Sequence, residues 1–219
     1  LLIIDEDEFE TIKINYTDLK IYTLDSNGNG SLKKESTKFS KKFHAIKREK
    51  NDLAAILYTS GTTGKSKGAK LTHLNLISNS IILKEYWKFT KDDILLHMLP
   101  IYHTHGLFVA CNLMSMIGGK IIFLPKFDAD EAIKWMKIAT SMMGVPTFYT
   151  RLVENKNLTR NITKHMRLFI SGSAPLLPET HKIFKDKTNH VILERYGMTE
   201  TNMSISNPYD GKRIAGTVG

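Results

Sequence analysis

Two stretches of this 219-residue chain carry residue types that could act on one ligand together. The first is Tyr58-Thr59-Ser60-Gly61-Thr62-Thr63-Gly64-Lys65-Ser66-Lys67-Gly68-Ala69. Its glycines let the backbone turn sharply and bring N–H groups close to a ligand, its hydroxyls add donors, and its lysines add charge. That is the chemistry of a polyphosphate cradle. The phosphate loop of the NTPases, G-x-x-x-x-G-K-[ST], shares Gly64-Lys65-Ser66 but would need a glycine where Thr59 stands. It must also open a helix at its lysine, which Gly68 disfavours. The second stretch is Arg195-Tyr196-Gly197-Met198-Thr199-Glu200-Thr201. Here tyrosine can stack on a base, threonine can bond a phosphate, and glutamate can hold Mg²⁺, which takes few carboxylates plus phosphate oxygens.

Two further clusters invite other chemistry. His103 and His105 alternate by two, with His97 upstream, so a zinc pair is geometrically possible, but no acidic or cysteine partner stands nearby. His105 beside Gly106 reads better as a pocket-lining residue. Ser171-Gly172-Ser173-Ala174-Pro175 resembles a nucleophile elbow only superficially, because G-x-S-x-G is absent. A tight loop of this kind can instead lay its backbone against a planar base or an acyl group.

The elements around these stretches follow an alternating pattern. The apolar run 53–58 predicts a buried strand entering the first loop, and 69–71 a short strand leaving it. Thr72 caps a predicted helix from 73 to about 89, with Leu74, Ile77, Ile81 and Ile82 on one core-facing stripe. Strands are predicted over 94–99, 120–124 (buried type), 141–145, 166–170 and 190–194. Between them lie an apolar helix that follows the turn 100–108 and runs through Met116, and helices over 128–139, 146–154 and 178–187, with Pro146 in a first turn. The second signature stretch is then a loop. Such β-α alternation predicts an α/β fold with mainly parallel, helix-covered sheets, whose ligands gather at the carboxyl ends of the strands. Residues 1–24 suggest one or two short strands with acidic turns, 25–30 a turn, and 31–50 a lysine-rich connector, partly helical. The division expected is 1–50 as N-terminal strands and connector of the same domain, and 51–219 as the binding core. The turn at 25–30 lacks the acidic series and closing glutamate of a calcium loop.

Composition narrows the classes. A 42% apolar fraction is that of an ordinary globular protein. The formal charge of +9 sits largely in 33–50, without an aromatic-and-basic RNA-binding pattern, and reads as solvated surface. No nucleic-acid partner is therefore expected. Cys111 stands alone, so no internal disulfide forms, which fits a reducing, intracellular compartment. Residues 109–124 come nearest to a membrane span, but Gly118-Gly119-Lys120 interrupts them. Both ends read as the interior of a longer chain.

Taken together, YTSGTTGKSKGA and YGMTET resemble the double signature of the adenylate-forming superfamily of acyl- and aryl-CoA synthetases, luciferases and peptide-synthetase adenylation domains. Within it, LPIYHTHGLFVACN, GVPTFYTRL, LFISGSAPLLPETH, LERYGMTETNM and NPYDGKRIAGTVG look like the malonyl-CoA synthetases. The resemblance covers about residues 21–219 and is weakest across the lysine-rich connector. It implies the core of the large N-terminal domain of an ATP-dependent acid–thiol ligase, with malonate, ATP and CoA as small-molecule substrates and Mg²⁺ as cofactor. By position, it implies that Thr59, Ser60, Gly61, Thr62, Thr63, Gly64 and Lys67 bind phosphates. Gly172, Ala174, Pro175 and Tyr196 would frame adenine, Thr199 would contact the α-phosphate, and Glu200 would bind Mg²⁺. His105 and Ser173 would line the acyl pocket.

Arg151 bears on which acid is used. Spacing alone leaves two readings open: a snorkelling surface arginine, or a cation at the flank of a buried helix face beside Phe148 and Leu152. The family resemblance implies the second, a guanidinium for the second carboxylate of malonate. Related readings are a synthetase for methylmalonate or a medium-chain acid, and a non-catalytic scaffold. Family members continue with a ribose-binding aspartate, a hinge and a small domain bearing a catalytic lysine, none of them within these 219 residues. The expectation is that this polypeptide alone binds nucleotide weakly and does not turn over, and that the compartment is cytoplasmic or the mitochondrial matrix.

Overall fold

The computed structural model describes residues 1–15, 18–59 and 65–219. It divides into two compact units, Leu1–Lys47 and Arg48–Gly219. In the first, β1 (Leu2–Ile4) pairs in parallel with β2 (Ile21–Thr23), Leu2 opposite Ile21. A 3-10 turn at Glu6–Glu8 and helix α1 (Phe9–Asn15) connect them, where sequence reading expected only strands and acidic turns. Asp5 starts this turn by accepting the Asp7 N–H, the local bond through which aspartate nucleates helical turns. Helix α2 (Ser31–Ser36) follows, within the predicted lysine-rich connector.

The second unit is built on a six-stranded sheet. Its strands are β5 (Ile94–His97), β6 (Lys120–Phe123), β7 (Ser141–Gly144), β8 (Leu168–Ser171), β9 (Leu193–Met198) and β10 (Asn202–Ser206). The order is β10-β9-β8-β7-β5-β6, parallel except for the β9–β10 pair. Successive strand residues feed opposite faces, as the two-residue period of a strand requires. Leu96, Met142, Phe169 and Ile192 enter one core with Met136, Tyr149, Leu152 and Phe184. Their neighbours Leu95, Met143, Leu168, Ile170 and Leu193 enter the other with Leu83, Trp87, Leu113 and Met114. Helices α5 (Ala129–Trp135), α6 (Pro146–Glu154) and α8 (Pro178–Thr188) supply the first core. Helices α3 (His73–Tyr86) and α4 (Asn112–Ile117) supply the second, and the short α7 (Arg160–Thr163) precedes β8. Among the described residues, no helix is long and apolar enough to cross a membrane.

The mainly parallel α/β class is as expected, and several details differ. The strand entering the first loop, β3 (Leu53–Thr59), forms an antiparallel hairpin with β4 (Lys67–Thr72). It is not buried: in this two-stranded hairpin Leu53, Ile56 and Tyr58 all remain exposed. On α3 the capping box at Thr72 and Asn75 forms as expected, but Leu74, Ile77, Ile81 and Ile82 face outward. Ser80 and Leu83, leading to Trp87, take the core side, because the fully buried indole fixes the helix's rotation. α3 stops at Tyr86 and α5 at Trp135, each shorter than predicted. β6 is half-exposed because it forms the sheet edge. β9 begins later than predicted and runs through Tyr196, Gly197 and Met198, which are therefore strand, turning back into the unpredicted β10.

Candidate functional site

The chain leaves β5 for β6 on one side and returns to β7 on the other, so the sheet has a switch point beside β5. Crevices at such points, outside the carboxyl ends of the strands, are where open α/β sheets bind ligands. A cavity of about 550 Å³ lies at these strand ends. The segment after β5 lines it with Leu99, Thr104 and His105, the entry to α6 with Val145 and Phe148, and the turn after β8 with Ser173. The β9 hairpin closes it with Gly197, Met198 and Thr199. A larger groove of about 650 Å³ follows α3 and α4, but no residue of either signature stretch lines it.

Three of the expected residues therefore meet: His105, Ser173 and Thr199 line one cavity. His105 opens a π-helix, His105–Cys111, and is buried. Its Nδ1 lies 3.2 Å from Ser173 Oγ. Ser173 reaches it from a left-handed backbone, φ 70°, sparsely populated for serine. Burial above all, then the nearby Arg195 and His97, hold the imidazole well below its ordinary range, so it is neutral at neutral pH. Thr104 donates from its hydroxyl to Asn202 Oδ1, tying the β5 segment to the start of β10.

The other expected residues lie around this centre. Thr59 and Lys67 face each other as the last pair of the β3–β4 hairpin before its connecting segment, with Thr59 Oγ1 3.5 Å from the Lys67 carbonyl. Ser60, Gly61, Thr62, Thr63 and Gly64 lie outside the described residues. Gly172 is buried behind Ser173, while Ala174, Pro175 and Glu200 are exposed. Tyr196 is 47% exposed. Arg151 is exposed and does not line the cavity. Its guanidinium carbon sits 4.9 Å over the ring of Phe127, which stacks on Phe148 at 4.1 Å and 12°. Phe148 in turn lines the cavity, so Arg151 stands two rings away from it.

Sequence reasoning singled out neither Thr104 and Asn202 nor Phe148 as site residues. Arg195 was passed over too, although a charged residue directly following Ile192, Leu193 and Glu194 signals a buried cation. Among the described residues there is no group of three or more His, Cys, Asp or Glu side chains placed to hold a metal. A single carboxylate such as Glu200 suits only a cation that takes most of its ligands elsewhere, as Mg²⁺ does on a polyphosphate.

The profile of the family described as AMP-binding enzyme matches residues 3–219. A mitochondrial malonate–CoA ligase of Mus musculus is 39% identical over 184 residues, covering 76% of this chain and 31% of that protein. Among solved structures, ATP-bound MatB from Rhodopseudomonas palustris superposes with a TM-score of 0.96 at 55% identity, over 100% of this chain and 44% of that one. A malonyl-CoA ligase in a ternary product complex with methylmalonyl-CoA and AMP gives a TM-score of 0.79 at 32% identity, over 93% and 43%. The chain thus spans about a third of that curated relative and less than half of these solved chains.

Proposed function

This chain belongs to the AMP-binding enzyme family, and from that premise we propose that the protein carrying it is an ATP-dependent malonyl-CoA synthetase. The observation that carries the reading is the meeting of His105, Ser173 and Thr199 in one cavity at the switch point. The malonate–CoA ligase relative and the malonyl-CoA ligase structure support the acid, and the ATP-bound MatB structure supports the nucleotide.

In this reading the reaction has two halves. A malonate carboxylate oxygen attacks the α-phosphorus of ATP, and the bond to pyrophosphate breaks. The sulfur of CoA then attacks the acyl carbon of malonyl-adenylate, and AMP leaves. Both halves depend on positioning and on neutralising charge, and neither needs a nucleophile from the protein. Thr59, Ser60, Gly61, Thr62, Thr63, Gly64 and Lys67 hold the phosphates. Gly172, Ala174, Pro175 and Tyr196 frame the adenine. Thr199 bonds the α-phosphate, and His105 and Ser173 shape the acyl end as neutral hydrogen-bonding groups. Arg151 supplies positive charge near the outer end of the Phe127–Phe148 stack. Glu200 would hold Mg²⁺, which neutralises phosphate charge when bound.

The test uses the complete protein with ATP, Mg²⁺ and CoA against malonate, methylmalonate, acetate and octanoate, with the thioesters weighed by mass spectrometry. Malonyl-CoA is the expected main product. Methylmalonyl-CoA as the main product, which the bound ligand of one neighbour makes the leading alternative, would overturn the malonate assignment. The absence of any thioester would favour a non-catalytic scaffold.

A further inference from the structure

The turn that carries Thr199 and Glu200 joins β9 to β10, and β10 is an edge strand of the sheet. An edge strand turns a row of main-chain N–H and C=O groups away from its neighbour, and something must cover them. Here a helix does so. The Asn79 side chain on α3 takes both main-chain groups of Met203, 124 positions away. Its Nδ2 donates to the carbonyl at 2.9 Å, and its Oδ1 accepts the N–H at 3.4 Å. A carboxamide offers the donor and the acceptor of a peptide unit, so Asn79 stands where an adjoining strand would be. Further along, the Tyr86 hydroxyl donates to the Ser206 carbonyl at 3.3 Å, and the Trp87 indole N–H to the Ser206 hydroxyl at 2.9 Å. The spacing fits, because the rise from Asn79 to Tyr86 along a helix is about 10.5 Å and that from Met203 to Ser206 along a strand about 10 Å.

Helix and strand therefore run in the same direction, and β4 and the Thr199–Glu200 turn enter them at the same end. β4 leads from Lys67 through Thr72 directly into α3. The Thr72–Asn75 capping box closes that junction, and the His73 and Leu74 N–H groups donate to the Asp52 and Lys50 carbonyls at 3.2 and 2.9 Å. On the other side, the turn leads directly into β10. It is closed by the Thr201 N–H on the Met198 carbonyl at 3.2 Å and by the Thr201 and Ser204 hydroxyls, 2.7 Å apart. Asn202, between the turn and Met203, has a left-handed φ of 54° and accepts the Thr104 hydroxyl. One amide thus joins the helix that continues the β3–β4 hairpin to the strand that continues the turn.

We propose that Asn79 is a positioning residue for the nucleotide: it acts through the Met203 main chain to set the Thr199–Glu200 turn against the β3–β4 hairpin. This rests on the malonyl-CoA synthetase reading, which gives the turn and the hairpin to one ATP molecule. A ligand held from two elements loses affinity and reactivity when their separation shifts, and a displacement of about 1 Å can cost about 100-fold. The Tyr86 and Trp87 bonds to Ser206 lie further from the turn. Losing the Tyr86 bond loosens the strand edge and leaves the turn in place.

The test uses the complete protein as wild type, Asn79→Ala, Asn79→Asp and Tyr86→Phe. It measures ATP affinity by calorimetry with Mg²⁺ present, kcat and KM for ATP in malonyl-CoA formation, and Tm. Asn79→Ala should raise the Kd and KM for ATP about tenfold and lower kcat/KM about 100-fold. Asn79→Asp keeps the shape but sets a carboxylate, which cannot donate, against the Met203 carbonyl, so it should lose as much. Tyr86→Phe should lower Tm and leave the ATP constants as in wild type. Folded Asn79 variants with wild-type ATP constants would overturn the inference. So would a Tyr86→Phe variant that loses as much ATP affinity, because the strand edge would then matter as a whole. If neither Asn79 variant folds, Asn79 serves the fold alone and the inference falls too. Wild type that binds ATP without yielding malonyl-CoA would overturn the functional reading, while the ATP affinities of the variants still decide the inference. Wild type that does not bind ATP would overturn both.

Discussion

Arg167 and Asp93, 74 positions apart, form a two-pronged ion pair: Nε to Oδ1 at 2.7 Å and Nη2 to Oδ2 at 2.8 Å. The carboxylate also accepts from the Thr140 hydroxyl at 2.7 Å and the Thr90 N–H at 2.8 Å. The guanidinium donates to the Trp87 carbonyl and lies between the rings of Phe89 and Tyr209. One charged pair thereby fixes the amino ends of β5, β7 and β8, the end of the sheet opposite the cavity. Burial alone would push the Asp93 carboxyl up, but the bonds from Arg167, Thr90 and Thr140 outweigh it and hold it below its ordinary value.

Asp93 is buried and Arg167 only partly exposed, so removing the carboxylate strands a cation inside the fold. Asp93→Ala should cost about 3 kcal/mol, at the low end for a broken buried pair. The sign with pH follows from the depressed folded value. The stabilisation is complete above the unfolded carboxylate value near 4 and is lost as pH falls through the folded one. Urea unfolding at pH 7 and pH 3 should therefore show wild type and variant far apart at neutral pH and converging in acid. Equal separation at both values would assign the cost to lost packing instead of charge.

The same strand ends show what could be read in advance. Apolar runs alternating with amphipathic segments were enough to place all five parallel strands, since a buried parallel strand needs an apolar run whatever it packs against. The polar loops at their ends then had to cluster, and His105, Ser173 and Thr199 do. What escaped depends on tertiary competition. Leu74, Ile77, Ile81 and Ile82 form a better apolar stripe than Ser80 and Leu83, yet Trp87 rotates the helix toward the poorer one. Tyr196 and Gly197 carry the composition of a loop, and only pairing with Ile205 and Met203 on β10 makes them strand. Arg195 was legible as an oddity but not as an orphan, because the lack of a partner is a property of three dimensions.

Gly106 is a second place where a missing side chain matters. A Cβ there would lie 2.3 Å from the Pro100 carbonyl oxygen and 2.9 Å from its carbon, both backbone atoms without a flexible arm to move. This close approach folds the turn after β5 back onto the first residues of the π-helix and sets His105 into the cavity wall. Gly106→Ala should cost about 1–3 kcal/mol by overpacking. It should also displace the imidazole from Ser173, visible as a change in the His105 resonances by NMR. An alanine variant with wild-type stability and an unchanged imidazole spectrum would show that the segment yields freely.

The neutrality of His105 is open to the same method. Burial, Arg195 and His97 all act against the imidazolium, and the charged or titratable neighbours opposing it come from β5 and β9. Its NMR shifts should stay constant from pH 8 to pH 5.5, while an ordinary histidine passes its midpoint near 6.5. Because the folded value is depressed, the unfolded chain binds the proton first as pH falls. Stability is then complete above about pH 6.5 and declines below it, by up to about 1.4 kcal/mol per pH unit for this group. Arg195→Met removes one opposing charge but not the burial, so the His105 midpoint should rise without reaching 6.5. A wild-type midpoint already at 6.5 would mean that the imidazole is charged on the acid side of neutrality. Its Nδ1 would then carry a proton, and the bond with Ser173 would have to run in the opposite direction.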